Sequence, residues 1–337
     1  MKFLLLIIIG LVGFFAVYPK HVSSPISVPQ TVLPQVTPDP FEDLTIPALR
    51  TRSYSSQMGE LKQISKNANF TSFLTSYTAD DLHINGLLTQ PTGKAPEGGW
   101  PVIVFVHGYI PPSLYKTTER YVEYVNFLAR SGFVVFKIDL RGHGNSEGDP
   151  GGAYYSGDYV IDTLSAIQAV QSLPFVNKDR VGLWGHSMAG NITLRTLAAK
   201  PDIKATAIWA GAGYTYTDLL DYKIQDNSYR PPQDQSRQSA RRKELADRHG
   251  PFDPNDSFWK LVPPTNYLGD IRGAIGLYHA IDDTVVKVDY SRNLNKLLDA
   301  TTIIHELHEY PSGGHNISGA SFTKAMQTTV EFYKKNL

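Results

Sequence analysis

The 337-residue chain has no cysteine. That excludes disulfide staples, thiolate zinc sites and a lipid-modified cysteine in one step, and it suits any redox compartment. It also lacks net formal charge, with 32 Lys and Arg against 32 Asp and Glu. No basic footprint is present, so no nucleic-acid partner is expected. Internal repeats are missing from the 100 residues before the first long apolar strand run. Long uncharged apolar stretches are scarce as well, and the exception stands at the amino terminus. Phe3 to Tyr18 carries no charge and is flanked by Lys2 and by Pro19-Lys20. Its length falls between a signal-peptide core and a bilayer-spanning helix. We read residues 1–18 as an uncleaved membrane anchor in preference to a removed signal. The rest of the chain is expected on the extracytoplasmic side, because a start-terminal apolar segment addresses the secretory machinery; secretion after cleavage is the alternative. Lys2 and Lys20 nearly cancel the positive-inside bias. Residues 19–48, with Pro25, Pro29, Pro34, Pro38 and Pro40, read as a stiff extended tether.

What is present from residue 49 onward suits one large core. The hydrophobic fraction of the chain is 42%, and α/β folds of more than 200 residues are often single domains. Phe73 to Tyr77 and His83 to Leu88 read as paired strands around an Ala79-Asp80-Asp81 turn. Pro101 to Val106, Phe133 to Leu140, Ala205 to Trp209, Ala274 to His279 and Ile303 to Tyr310 read as further strands. Helical spacing appears in Arg120 to Ala129, Tyr159 to Leu173 and Ile192 to Ala199. This alternation predicts an α/β fold with a mainly parallel sheet covered by helices on both faces.

The most informative stretch is Gly185-His186-Ser187-Met188-Ala189-Gly190, which follows a short apolar run and precedes a helical one. A serine on a sharp strand-to-helix turn needs small neighbours two residues away on either side, and Gly185 and Ala189 supply them. A serine hydroxyl is a weak nucleophile, so a base must take its proton and a third group must orient that base. His315, in the Gly-rich turn Pro311-Ser312-Gly313-Gly314-His315-Asn316, is the candidate base. Competing imidazoles are His279, His305 and His308, which read as strand-packed or surface groups. Asp283, in the loop after the 274–279 strand, is the candidate orienting acid, with Asp282 and Asp289 as alternatives. The tetrahedral oxyanion needs backbone donors. The N–H groups of Met188, directly after the serine, and of Tyr109, at the end of the Pro101 strand, are the candidates. His107 and Gly108 then shape that turn. No metal and no cofactor is called for.

These motifs, together with Asp139-Leu140-Arg141-Gly142-His143-Gly144-Asn145-Ser146 and His279-x-x-x-Asp283-x-x-Val286, resemble the α/β-hydrolase superfamily. Its order of serine, acid and histidine is kept. Within it the chain is most similar to the catalytic domain of the prolyl oligopeptidase group, over roughly residues 73–337. Ala189 replaces the usual elbow glycine, and Lys287 stands where many relatives have proline. The resemblance implies a serine hydrolase working through an acyl-enzyme, most readily a peptidase for short peptides. Carboxylesterase activity on small acyl or aryl esters is the alternative, and a non-catalytic binding module that keeps the fold is a third reading. A β-propeller, whose blades need about 40 residues each, is not expected here. The substrate is expected to be a small peptide or ester; oligomeric state is left open.

One stretch breaks the alternation. Residues 212–265 are rich in aromatics (Tyr214, Tyr216, Tyr222, Tyr229, Phe252, Phe258, Trp259) and in arginine (Arg230, Arg237, Arg241, Arg242, Arg248). They read as a cap whose aromatics either line a substrate pocket or pack the cap onto the domain. No acidic pair stands out as a clamp for a peptide amino terminus.

Overall fold

The computed structural model describes residues 39–337 except 228, 229 and 231. The anchor assigned to residues 1–18, and the tether as far as 38, lie outside the described residues. Among the described residues no helix is long and apolar enough to cross a membrane.

The chain opens with a 3-10 turn (Glu42–Leu44) and α1 (Ile46–Thr51). Strands β1 (Lys62–Lys66), β2 (Phe70–Ala79), β3 (Leu82–Pro91) and β4 (Trp100–Val106) follow. Helix α2 (Val122–Arg130) leads to β5 (Val134–Ile138), and α3 (Asp158–Gln171) leads to β6 (Val176–His186). Then come α4 (Ala189–Ala199), β7 (Ala205–Trp209), the cap helices α5 (Tyr216–Asp221) and α6 (Pro232–His249), and β8 (Ala274–Ala280). Helix α7 (Asp289–Asp299), β9 (His305–Tyr310) and α8 (Ala320–Asn336) complete it. Nine strands form one sheet in the order β1-β2-β3-β5-β4-β6-β7-β8-β9. The β1-β2-β3-β5 pairings are antiparallel, and every pairing from β5 through β4 to β9 is parallel. The β2–β3 hairpin turns at Asp80 and Asp81, both at positive φ (51° and 62°), as a tight two-residue hairpin requires.

The parallel strands are apolar on both faces because helices cover both. In β4, Val102, Val104 and Val106 face the cluster shared with α3 and α4, while Ile103 and Phe105 face the cluster shared with α2 and α8. Phe105 stacks on Trp184 of β6 at 4.0 Å between ring centres. The sheet is therefore a rigid platform. His107, Asp139, Ser187, Asp283 and His315 all follow the carboxyl ends of its parallel strands, the edge where ligands bind in open α/β folds.

Residues 41–48, assigned to the tether, are instead part of the folded body. Phe41, Leu44, Ile46 and Leu49 are all at most 2% exposed. The sequence hid this behind proline spacing: Pro47 sits in the first turn of α1, where its missing N–H costs nothing. The docking group is Arg195, a buried residue of α4. Its guanidinium donates to the carbonyls of Leu44 (2.7 Å) and Ser156 (2.6 Å), and Arg50 reaches the carbonyl of Ala198 at the end of α4 (2.7 Å). An Arg195→Ala substitution leaves two buried carbonyls without that donor and is expected to cost about 3 kcal/mol. Urea unfolding that shows a change below about 0.5 kcal/mol, within the range of ordinary surface substitutions, would remove Arg195 from this role.

Candidate active site

The elbow is built by close backbone approach. Ser187 has φ of +57°, a conformation costly for a residue with a Cβ. Its amide donates to Trp209 O (3.0 Å), and its carbonyl accepts from Gly190 N (2.9 Å) and Ala212 N (3.1 Å). A Cβ on Gly185 would lie 2.7 Å from Thr193 Cγ2 and 2.9 Å from Ala189 O. A Cβ on Gly190 would lie 2.7 Å from Gly211 Cα. The strict need for a missing side chain thus falls on 185 and 190, and the alanine at 189 fits because its methyl is accommodated in the core.

Asp283 and His315 meet. His315 Nδ1 lies 2.8 Å from Asp283 Oδ2, so the acid preferred from sequence is the one that touches the ring. Asp283 is 6% exposed and its other contacts are filled. Oδ1 accepts from the amides of Val285 (2.8 Å) and Val286 (3.0 Å), and Oδ2 also lies 3.2 Å from His279 Nε2. Burial pushes the carboxyl pKa up, but the hydrogen bonds from His279 and His315 outweigh it and hold the group well below the usual carboxylate range. His279, read from sequence as a strand-packed imidazole, is fixed by Val286 O (2.8 Å) and Ser291 Oγ (2.8 Å). It is an orienting partner of Asp283, a role that sequence spacing alone did not disclose. Asp282 does something else: its carboxylate accepts from the amides of Gly313 (3.2 Å) and Gly314 (2.8 Å) and so secures the loop carrying His315. Asp289 stands in the first turn of α7. His305 and His308 sit on β9 beside Asp299 and Glu306.

A second set of bonds joins three loops. Gly108 N–H donates to Tyr121 Oη (3.0 Å), Tyr121 Oη lies 2.7 Å from His186 Nδ1, and His186 Nε2 lies 2.8 Å from the carbonyl of His315. The assignment that gives every polar group a partner has the phenol donating to Nδ1 and Nε2–H donating to the carbonyl. In that arrangement His186 is neutral. Burial, with the neighbouring His315 next in weight, pushes its pKa down to about 3. The chain runs from the Gly108-Tyr109 turn, across the residue preceding Ser187, to the backbone of His315. Tyr121 itself sits at φ +52° as the N-cap of α2, and Tyr124 from the same helix donates to Asn316 O (2.7 Å). His107 and His143 are also buried, with pKa pushed down by burial to about 3 and about 4. His107 lies between the carbonyls of Gly108 (2.7 Å) and Asp139 (3.3 Å) and shapes the turn.

Ser187 borders two cavities. One, of about 520 Å³, is shared with His315, His186 and Tyr121. The other, of about 340 Å³, is shared with Met188, Tyr154, Leu219 and arginines of the cap. Tyr109 borders both. Met188 is the N-cap residue of α4, where helix amides face outward without intrahelical acceptors. Ser187 Oγ makes no hydrogen bond among the described residues, and such bonds commonly tighten only with substrate in place. The cap aromatics divide. Tyr216 and Trp259 form a separate core with Leu245 and the amino-terminal Phe41 and Leu44, with Phe252 and Phe258 against it, so these four pack the cap and do not line the two cavities beside Ser187. Tyr214 is in the main core, and Tyr229 lies outside the described residues.

A Tyr121→Phe substitution removes the phenol from this chain of bonds. It is expected to lower kcat about tenfold at unchanged KM, as for a group that helps aim an oxyanion donor. Because protonation of a buried imidazole opposes folding, His186 is expected to stay neutral as the pH falls from 7 to about 5. A ring resonance that titrates near the free-histidine value of about 6.5 would break the proposed bonding.

Comparison with known proteins follows the same lines. The family model "Serine aminopeptidase, S33" matches residues 101–226, and "BAAT / Acyl-CoA thioester hydrolase C terminal" matches 164–336, just over half of the chain. Human dipeptidyl peptidase 8 is 32% identical over 142 residues, covering 40% of this chain and 16% of that protein. The chain thus spans about a sixth of that relative's length. Acetyl xylan esterase 1 from a Thermoanaerobacterium species superposes with a TM-score of 0.60 at 22% identity, over 88% of this chain and 94% of that one. The Pyrococcus horikoshii acylaminoacyl peptidase superposes with a TM-score of 0.61 at 19% identity, over 80% of this chain and 42% of that one. With its sheet, its elbow and these matches in agreement, the chain is a serine hydrolase of the α/β-hydrolase fold and belongs to the BAAT / acyl-CoA thioester hydrolase C-terminal family.

Proposed function

We propose that Ser187 is the nucleophile, His315 the general base and Asp283 its orienting acid, in a hydrolase that cleaves short peptides through an acyl-enzyme. The observation that carries this reading is the 2.8 Å bond between His315 Nδ1 and Asp283, on a ring that borders the same cavity as the strained Ser187. The bond to Asp283 fixes the tautomer, leaving Nε2 free to take the proton of Oγ as it attacks the carbonyl. The amides of Met188 and Tyr109 receive the oxyanion. His315 then returns the proton to the departing amine or alcohol, and water repeats the sequence on the acyl-enzyme. Asp283 stays ionised throughout, which its multiple donors favour.

Peptidase relatives among the sequence matches support peptides as the substrate class. The structural likeness to an esterase supports a second reading. The chain superposes on an acetyl xylan esterase over 88% of its own length, which is consistent with a carboxylesterase. The anchor reading of residues 1–18, with the enzyme held outside the cytoplasm, belongs to the same proposal and rests on the uncharged run from Phe3 to Tyr18. Release of the full-length protein from cells by salt alone, without detergent, would count against it.

A panel of aryl esters and short peptide amides separates the two substrate classes: cleavage of esters alone leaves only the esterase. In either case Ser187→Ala is expected to lower turnover by about a millionfold, as removal of a triad serine does. Folded protein whose Ser187 ignores a fluorophosphonate probe would point to a binding module with a hydrolase fold.

A further inference from the structure

The two cavities at Ser187 are not equivalent. On the mechanism proposed above, on which this inference rests, His315 must hand its proton to the leaving group, so the leaving group lies in the cavity that His315 borders. The acyl part then extends past Ser187 and Met188 into the cavity beneath the cap. We propose that this cap-side cavity is an acyl subsite for groups that carry a carboxylate: a dicarboxylic acyl group in an ester, or an acidic side chain on the acyl side of a peptide bond.

Charge and satisfied bonds single out this cavity. Three arginines, Arg230, Arg241 and Arg242, border the cavity, and Asp226 is the only acid among the described residues that does so. Arg230 pairs with Asp226 at 3.2 Å and lies over the Tyr109 ring at 4.9 Å. Arg241 donates to Tyr155 O (3.1 Å) and Ser156 Oγ (3.3 Å) and lies over Phe41 at 5.4 Å. These contacts fix its place without neutralising it. Arg242 lies over the Tyr155 ring at 4.8 Å and has no carboxylate within ion-pair distance among the described residues. A guanidinium held over an aromatic ring keeps N–H donors for a planar, bidentate acceptor. Leu219, Ile224 and Tyr154 give the same cavity apolar wall. The fitting acyl group is therefore apolar along its length and anionic at its end. A free α-ammonium would meet the same excess of positive charge, which excludes it on that side.

The test compares p-nitrophenyl esters of hexanoic acid and of adipic acid, the latter as its hemiester, with uncatalysed hydrolysis subtracted. Wild-type protein is expected to favour the adipate hemiester by about tenfold in kcat/KM, the size of one charge-assisted contact, and the preference should shrink with added salt. Arg242→Gln should bring the ratio toward unity. Arg242→Glu should invert it, with the 6-aminohexanoate ester becoming the better substrate. Equal or faster cleavage of the hexanoate ester by wild-type protein overturns the inference and leaves the hydrolase assignment standing, as does an unchanged ratio in Arg242→Gln. Failure to cleave any ester or amide, with no labelling of Ser187, overturns the assignment and the inference together.

Discussion

One carboxylate governs the geometry of this enzyme. Asp283 is shut off from solvent with every direction of its two oxygens occupied: two backbone amides on one oxygen, and two imidazoles on the other. A buried charge is tolerated only when it is fully bonded. Here the bonds also serve as positioning, because each comes from a different part of the loop cluster. The amides fix the turn after β8, His279 braces the carboxylate from inside the strand, and His315 is left with one orientation. If that carboxylate were lost, His279 and the Val285-Val286 amides would all face an empty site.

Around this junction the three working loops are tied to one another and not only to the sheet. Asp282 holds the glycines before His315, Tyr124 holds the carbonyl of the residue after it, and His186 holds the carbonyl of His315 itself. Through Tyr121 the same imidazole reaches the Gly108 amide. A neutral histidine suits this place because it alone offers one donor and one acceptor on opposite sides of a flat ring. The positive φ values at Ser187, Arg120 and Tyr121 show where backbone strain is held by these ties.

Much of this was legible in the sequence. The alternating strands and helices, the elbow, and the order of serine, acid and histidine carry local signatures: apolar runs, small residues, a Gly-rich turn. Ala205 to Trp209 emerges as β7 with the same bounds, because a five-residue apolar run between turns leaves little choice. What was not legible depends on contacts between distant residues. His186 meets Tyr121 across 65 positions, and His279, although only four residues before Asp283 and in the same motif, turns its ring onto that carboxylate only once β8 and the loop after it are folded. The cap was legible as an insertion, but which of its aromatics face inward depends on Phe41 and Leu44, from a stretch whose prolines mimic a linker. In the helix that begins at Asp289, the buried Tyr290, Leu294 and Leu298 keep helical spacing but stand among polar neighbours that dilute the apolar pattern.

That stretch has a mechanical meaning. Phe41 and Leu44 sit in the cap's own core, and the next few residues are stitched to α4, the helix that begins at the elbow. A pull on the chain at residue 39 therefore enters the fold through the core of the cap and the helix behind Ser187. Whatever the upstream segment is attached to, tension there is transmitted to these two parts.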